Sequence, residues 1–278
     1  MTTQTQASNT YVFGNSNAEL QRLANQATFF GELTEDVLRK ARIEPGMRVL
    51  DVGCGSGDVS FLLAKMVGIG GKVIGVDKSA EAVELARQRA AVAMLTQLEF
   101  GVADITGDFQ LAEPVDAIVG RFILMHVANP AGVLSRLVTN LKPGGLIVFQ
   151  EMDGLSGRAV PESSLYNMSD YWMGETFRRA GFSPNAGSNL YNIFIQAGLA
   201  APQMYVNAQV VAGPDSPGYE VMAGALRGLL PLIERLGVAK AEEIQIDTFA
   251  ARLRDEVVAM NGILVAPSLI GAWTSKPL

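Results

Sequence analysis

The amino-acid sequence predicts an α/β protein built on a doubly wound, mostly parallel sheet, and three observations predict it. Short apolar strands alternate with amphipathic helical stretches from residue 47 to residue 150, the pattern of parallel strands covered on both faces. The first strand runs into "VLDVGCGSGDVS" (49–60), which sets Gly53, Gly55 and Gly57 on alternate positions. The second strand, "GKVIGVD", ends in an acid, Asp77, twenty residues after Gly57.

The elements follow in order. Residues 17–41 carry Leu20, Leu23, Ala24, Ala27, Leu33, Val37 and Leu38 at helical spacing, and Gly31 is expected to divide them into two helices. "MRVLDVG" is a strand and 58–67 a helix. "GKVIGVD" (71–77) is a strand, and Ser79 caps a helix over 79–93. "LEFGVAD" (98–104) and "VDAIVGR" (115–121) are strands. Pro130 opens a helix over 129–141, and "GGLIVFQ" (144–150) is the fifth strand. Past Glu151 the rhythm breaks into a Gly-, Pro- and Ser-rich excursion, 154–187, with "LYNMSDYWMGETFRRA" as its helix. A helix (188–199) and a strand (203–211) resume the pattern. A second excursion from 213 is helical at 219–236 and 241–260, and a last strand lies near 267–275. The expected organisation is a tail with lid helices (1–41), a core (42–153, 188–212 and 261–278) and two helical lid insertions (154–187 and 213–260).

Composition bounds the function. The 278 residues are 49% hydrophobic and 18% charged, enough for one large packed α/β unit. The net charge of −6, with no block of Lys or Arg, argues against a nucleic-acid partner. No apolar run approaches a membrane span, and "MTTQTQASNT" lacks the basic and apolar regions of a signal peptide, so the expected location is the cytoplasm, with no membrane partner. One cysteine, Cys54, and one histidine, His126, exclude a disulfide framework and leave no metal site.

In an open parallel sheet, ligands bind beyond the carboxyl ends of the strands. Glycines there let the backbone turn sharply and approach a ligand, and an acid at the end of the next strand typically accepts from two ribose hydroxyls. The ligand should therefore contain a nucleoside. A dinucleotide loop would need glycine at position 58, where this chain has Asp58, and an acid facing a pyrophosphate is unfavourable. Asp51, just before the turn, suits a cationic cofactor without phosphates.

"VLDVGCGSG", "VIGVD", "GVADI", "DAIVGRFILMH" and "LKPGGLIVFQE" follow one another in the order seen in class I S-adenosylmethionine (SAM)-dependent methyltransferases, which this chain resembles over residues 40–153. "FIQAGL" and "IGAWTSKP" resemble that family's last helix and strand, and "YVFGNSNAELQRLANQ" resembles a bacterial small-molecule subgroup. The resemblance implies a Rossmann-like seven-stranded sheet with the last strand antiparallel, SAM as cofactor and S-adenosylhomocysteine as product. By resemblance, Gly53, Cys54 and Gly55 pass under the methionine, Asp51 lies near its amino group, and Gly57 completes the loop. Asp77 takes the ribose, the Lys78 stem lies against the adenine, and Ala103, Asp104 and Ile105 border it. Gly120 and Arg121 end the fourth strand beside the methionine, and Tyr11 and Gln26 belong to a lid. Cys54 reads as a small buried filler rather than a nucleophile.

The fourth strand ends "GRFILMH", not the Asn/Asp-Pro-Pro-Tyr-like run of base-modifying relatives, and residues 117–130 lack the paired glutamates of arginine methyltransferases. A small organic acceptor remains, methylated on O, N or C, under aromatic and Met-rich insertions. Glu151, Tyr171 and Trp172 are the expected acceptor contacts and His126 the candidate base, against a reading of His126 as pocket wall. A SAM-binding sensor or pericyclic catalyst, and more remotely a NAD-dependent oxidoreductase, are the rival classes. A homo-oligomer is compatible with the sequence.

Overall fold

A computed structural model describes residues 17–278, with side chains from residue 29 onward. The chain runs α1 (Asn17–Lys40), β1 (Arg48–Val52), α2 (Asp58–Val67), β2 (Lys72–Asp77), α3 (Ala80–Val92), β3 (Leu98–Val102) and β4 (Val115–Arg121). It continues with α4 (Pro130–Leu137), β5 (Leu141–Asp153), β6 (Arg158–Val160), α5 (Ser164–Arg179), α6 (Leu190–Gln196), β7 (Gln203–Asn207) and β8 (Val210–Ala212). It closes with α7 (Gly218–Arg235), α8 (Ala241–Ile244), α9 (Ile246–Ala259), β9 (Ile263–Val265) and β10 (Ser268–Ser275).

The main sheet has seven strands in the order β3-β2-β1-β4-β5-β10-β7. β10 pairs antiparallel with both β5 and β7, while β1 pairs parallel with β2 and β4. The expected seven-stranded sheet with an antiparallel last strand is therefore the observed one. Side chains alternate across it, as a pleated strand requires. Val49, Val73, Val119 and Val148 join Leu38, Leu63 and Val83 in the core under α1, α2 and α3. Leu50, Ile118, Ile147 and Phe149 join Leu134, Leu137 and Phe194 under α4 and α6. The order in which strands are added reverses between β1 and β4, which run parallel, so their carboxyl ends open a crevice there.

Local chemistry explains the helix starts. The Ser79 hydroxyl accepts from the Ala82 N–H, and the Asn129 side chain accepts from the Gly132 N–H with Pro130 at the first helical turn. Several boundaries differ from the sequence reading. Gly31 does not divide the first helix. A helical glycine costs only about 1 kcal/mol relative to alanine, no atom of the described residues outside its own helical turn lies within 4 Å of where its Cβ would be, and buried Phe30, Leu33, Val37 and Leu38 hold the helix to the sheet. The segment 203–211 is not one strand but two, β7 and β8, in different sheets. The helix expected over 241–260 breaks at Gln245, whose φ is 51°.

The insertions are not purely helical. β6, β9 and β8 form a separate antiparallel three-stranded sheet, so the core strand at the carboxyl end begins at Ser268. That small sheet packs with α5, α7 and α9 around Trp172, Leu226, Phe249 and Leu253, giving the lid its own hydrophobic core. No helix among the described residues is long and apolar enough to cross a membrane.

Candidate active site

The crevice deepens into a cavity of about 750 Å³ that runs from the ends of β1, β2 and β3, past β4 and β5, to the underside of α5 and α7. Its size lies in the upper part of the roughly 300–1,000 Å³ typical of ligand pockets.

The three loop glycines do different jobs. Gly53, Gly55 and Gly57 have φ of 67°, 53° and 93°, a left-handed run costly for other residues. The Gly53 and Cys54 N–H groups both donate to the Val76 carbonyl (2.8 and 3.0 Å), tying the loop to β2. A Cβ on Gly53 would lie 2.5 Å from the Ile123 side chain. A Cβ on Gly57 would press the Phe61 and Phe100 rings at 3.1 Å, and Gly57 is not a lining residue. Of the three, Gly55 alone has nothing within 4 Å of a Cβ among the described residues, so a side chain there would fill cavity space. Asp58 does not confront a ligand unaided: its carboxylate is paired with Arg89 at 2.8 Å, in the first turn of α2, where an acid suits the helix dipole.

Asp77 stands at the end of β2 on the cavity floor. Its Oδ2 accepts from the Gly55 N–H and its Oδ1 from the Ser79 N–H, both at 2.9 Å. An ionised carboxylate offers about four acceptor sites, so two are left on a rigidly aimed group beside the open Gly55. That arrangement fits a ribose diol. Lys78, Ala103, Asp104 and Ile105 line the wall beyond it. Asp104 is also a turn-capping group: its Oδ1 accepts from the Thr106 N–H (2.8 Å) and hydroxyl (2.7 Å), which hold its carboxyl below the usual range.

Other expected contacts lie elsewhere. Asp51 is 1% exposed beneath the loop, where it accepts from the Ser60 hydroxyl at 2.5 Å and does not line the cavity. Burial pushes its carboxyl up to about 7. Gly120 leaves room for the Phe149 ring, which a Cβ would meet at 2.4 Å, and is likewise behind the wall. Arg121 does line the cavity, and its guanidinium donates to the Thr34 hydroxyl of α1 (3.1 Å), which in turn donates to Gln150 (2.8 Å). Cys54 is buried with its thiol pushed up by desolvation, which makes it wall rather than nucleophile.

Glu151 is a correction to the expected acceptor contact. It is fully buried, and its Oε1 accepts from the Ile123 (2.9 Å) and Leu124 (2.7 Å) N–H groups, so it holds the 122–126 loop from behind. Its Oε2 is buried without a partner among the described residues, and burial pushes the carboxyl up to about 7. That loop presents Ile123, Met125 and His126 to the cavity; the His126 ring packs edge-on against Phe182 at 5.7 Å. Trp172 and Tyr171 are corrections too. Trp172 is 4% exposed in the lid core and Tyr171 faces outward. The face of α5 toward the cavity is Asp170, Met173, Gly174 and Phe177 instead, at the i, i+3, i+4, i+7 spacing of one helical side. Tyr11 lies outside the described residues, and so does the side chain of Gln26. Among the described residues no cluster of His, Cys, Asp or Glu could hold a metal.

Residues 43–198 match the family model for a methyltransferase domain, Methyltransf_31, over more than half of the chain, and the chain belongs to that family. Membership and sheet order together put it in class I of the SAM-dependent methyltransferases, whose cofactor is SAM. It is similar to phosphoethanolamine N-methyltransferase 1 of Arabidopsis thaliana, 31% identical over 120 residues, covering 43% of this chain and 24% of that one. It is also similar to a ubiquinone biosynthesis O-methyltransferase of Burkholderia ambifaria, 37% identical over 118 residues, with 39% of this chain and 45% of the relative covered. These matches thus span a quarter to less than half of the relatives' length. Among solved structures, phosphoethanolamine N-methyltransferase 2 of Haemonchus contortus superposes with a TM-score of 0.52 at 17% identity, over 93% of this chain and 53% of that one. The YcgJ protein of Bacillus subtilis superposes with a TM-score of 0.53 at 18% identity, over 87% and 96%. At such identities these two likenesses show the fold.

Proposed function

We propose that the protein binds SAM along the crevice and transfers its methyl group to a small organic acceptor held under the lid. The observation that carries the reading is the Asp77 carboxylate, aimed by the Gly55 and Ser79 amides beside a loop position where a side chain would fill the cavity. In this reading Asp77 holds the ribose hydroxyls, the Gly53–Gly55 backbone supports the methionine part, and Ala103, Asp104 and Ile105 border the adenine. Arg121 and the Ile123–His126 loop stand between the cofactor half of the cavity and the acceptor half. Bound SAM supplies a methyl on a positively charged sulfur, already electrophilic. The chain's own residues are left to align the acceptor and exclude water, and alignment can contribute roughly 7–11 kcal/mol. His126 receives a proton where the acceptor must lose one.

A small acceptor, rather than a polymer, is supported by the lid core over the cavity and by the net charge of −6. The test is incubation with methyl-labelled SAM and a mixed extract. Label in a low-molecular-weight product is expected. Label only in protein or nucleic acid would contradict the acceptor class, and no transfer despite SAM binding would contradict methyl transfer.

A further inference from the structure

The acceptor half of the cavity is built from apolar groups: Met152, Leu155, Met173, Phe177 and Leu229. One ionisable side chain interrupts them on α5, the half-buried Asp170. No described residue forms a hydrogen bond or ion pair with it. Burial raises its carboxyl above the ordinary value, and no basic group opposes that shift. The lining cations lie elsewhere. Lys78 is at the cofactor end, and Arg121 is bonded to Thr34. Asp58, another lining acid, is already paired with Arg89. A carboxylate in a drying apolar enclosure is costly unless a partner of opposite charge comes with the ligand, and among the described residues no further Lys or Arg lines the cavity to receive an anionic acceptor at this end.

We infer that the methyl acceptor carries a cationic nitrogen, and that Asp170 receives it at the lid end of the cavity. The inference rests on the methyl-transfer reading for the word acceptor, but its charge selection can be measured without turnover. Asp170 then acts as a specificity residue: it fixes one end of the acceptor while Met173 and Phe177, on the same helical face, contact its apolar body.

Three ligands of one shape test this by calorimetry: 2-(naphthalen-2-yl)ethylammonium, 2-(naphthalen-2-yl)ethanol and 3-(naphthalen-2-yl)propanoate, each with and without S-adenosylhomocysteine. The ammonium should bind about tenfold more tightly than the alcohol, the scale of one charge-assisted hydrogen bond, and the propanoate most weakly. Asp170→Asn should erase that ranking and leave S-adenosylhomocysteine affinity unchanged, while Asp170→Glu should retain the ranking. No preference for the ammonium in the wild-type protein, or a preference that survives Asp170→Asn, would overturn the inference. So would loss of S-adenosylhomocysteine binding in Asp170→Asn, which would make the residue a cofactor contact. A protein that ranks the three ligands yet ignores S-adenosylhomocysteine would uphold the charge selection and contradict the SAM reading alone.

Discussion

Replacing Asp77 by alanine probes the cofactor half of the site at one atom group. Two of its acceptor positions are taken by the Gly55 and Ser79 amides at 2.9 Å, and the others open to the cavity. Hydrogen bonds to a charged group contribute about 1.5–3 kcal/mol net. Losing the ribose contacts should therefore weaken S-adenosylhomocysteine about 10- to 150-fold. Stability should fall by only about 1 kcal/mol, because Asp77 is not fully buried and water can reach the two amides it leaves. Asp77→Asn keeps the shape and loses the charge, so it should fall between alanine and wild type. Titration calorimetry gives the affinity, and a melting curve on the same sample shows that the variant is folded. A folded Asp77→Ala protein with wild-type affinity would refute the reasoning.

Three other outcomes are expected. Gly55→Ala places a methyl in open cavity space at φ 53°, so S-adenosylhomocysteine affinity should drop, with a stability cost of about 1–2 kcal/mol for the left-handed conformation; calorimetry and denaturation read the two separately. Burial holds the Glu151 carboxyl at about 7, against 4.5 when exposed. The folded state therefore keeps a proton that the unfolded chain gives up, and this contribution is present below about 4.5 and lost as pH rises through 7. The slope approaches 1.4 kcal/mol per pH unit in that window; Asp51, also near 7, adds in the same direction. Urea denaturation from pH 4.5 to 8 should show Glu151→Gln flatter than wild type, and identical slopes would contradict the buried, protonated state. For an acceptor that must shed a proton, His126→Gln should lower turnover about 10²–10⁴-fold and abolish the acidic limb of the pH profile, with S-adenosylhomocysteine affinity intact; near-wild-type turnover would leave His126 as wall.

The core and the loop after the first strand were legible because their signals are local. The glycine run, the strand-ending Asp77 and the Ser79 cap each depend on a few neighbouring residues, and strand burial is written in the Leu50, Ile118 and Ile147 runs. The acceptor half was not legible, because it is assembled by long-range packing. Helical periodicity alone would have grouped Asp170, Met173, Gly174 and Phe177, but it could not say whether that face or the one holding Trp172 meets the sheet. An acid at 151, at the end of a strand beside the expected site, looks like a substrate contact; that it turns inward onto the Ile123 and Leu124 amides depends on a loop in another part of the chain. Strands β6, β8 and β9 have three residues each, too short for a period-2 signal, and pair only across the insertions. Gly31 misled because a single glycine breaks a helix only where packing does not outweigh its cost.

The central claim is that this crevice is a SAM site in which Asp77 reads the ribose. A paired calorimetric titration of the same protein with S-adenosylhomocysteine and with NADH tests it most directly. The account predicts one-to-one, micromolar-range binding of S-adenosylhomocysteine and no heat from NADH. Tight NADH binding with no response to S-adenosylhomocysteine would contradict it.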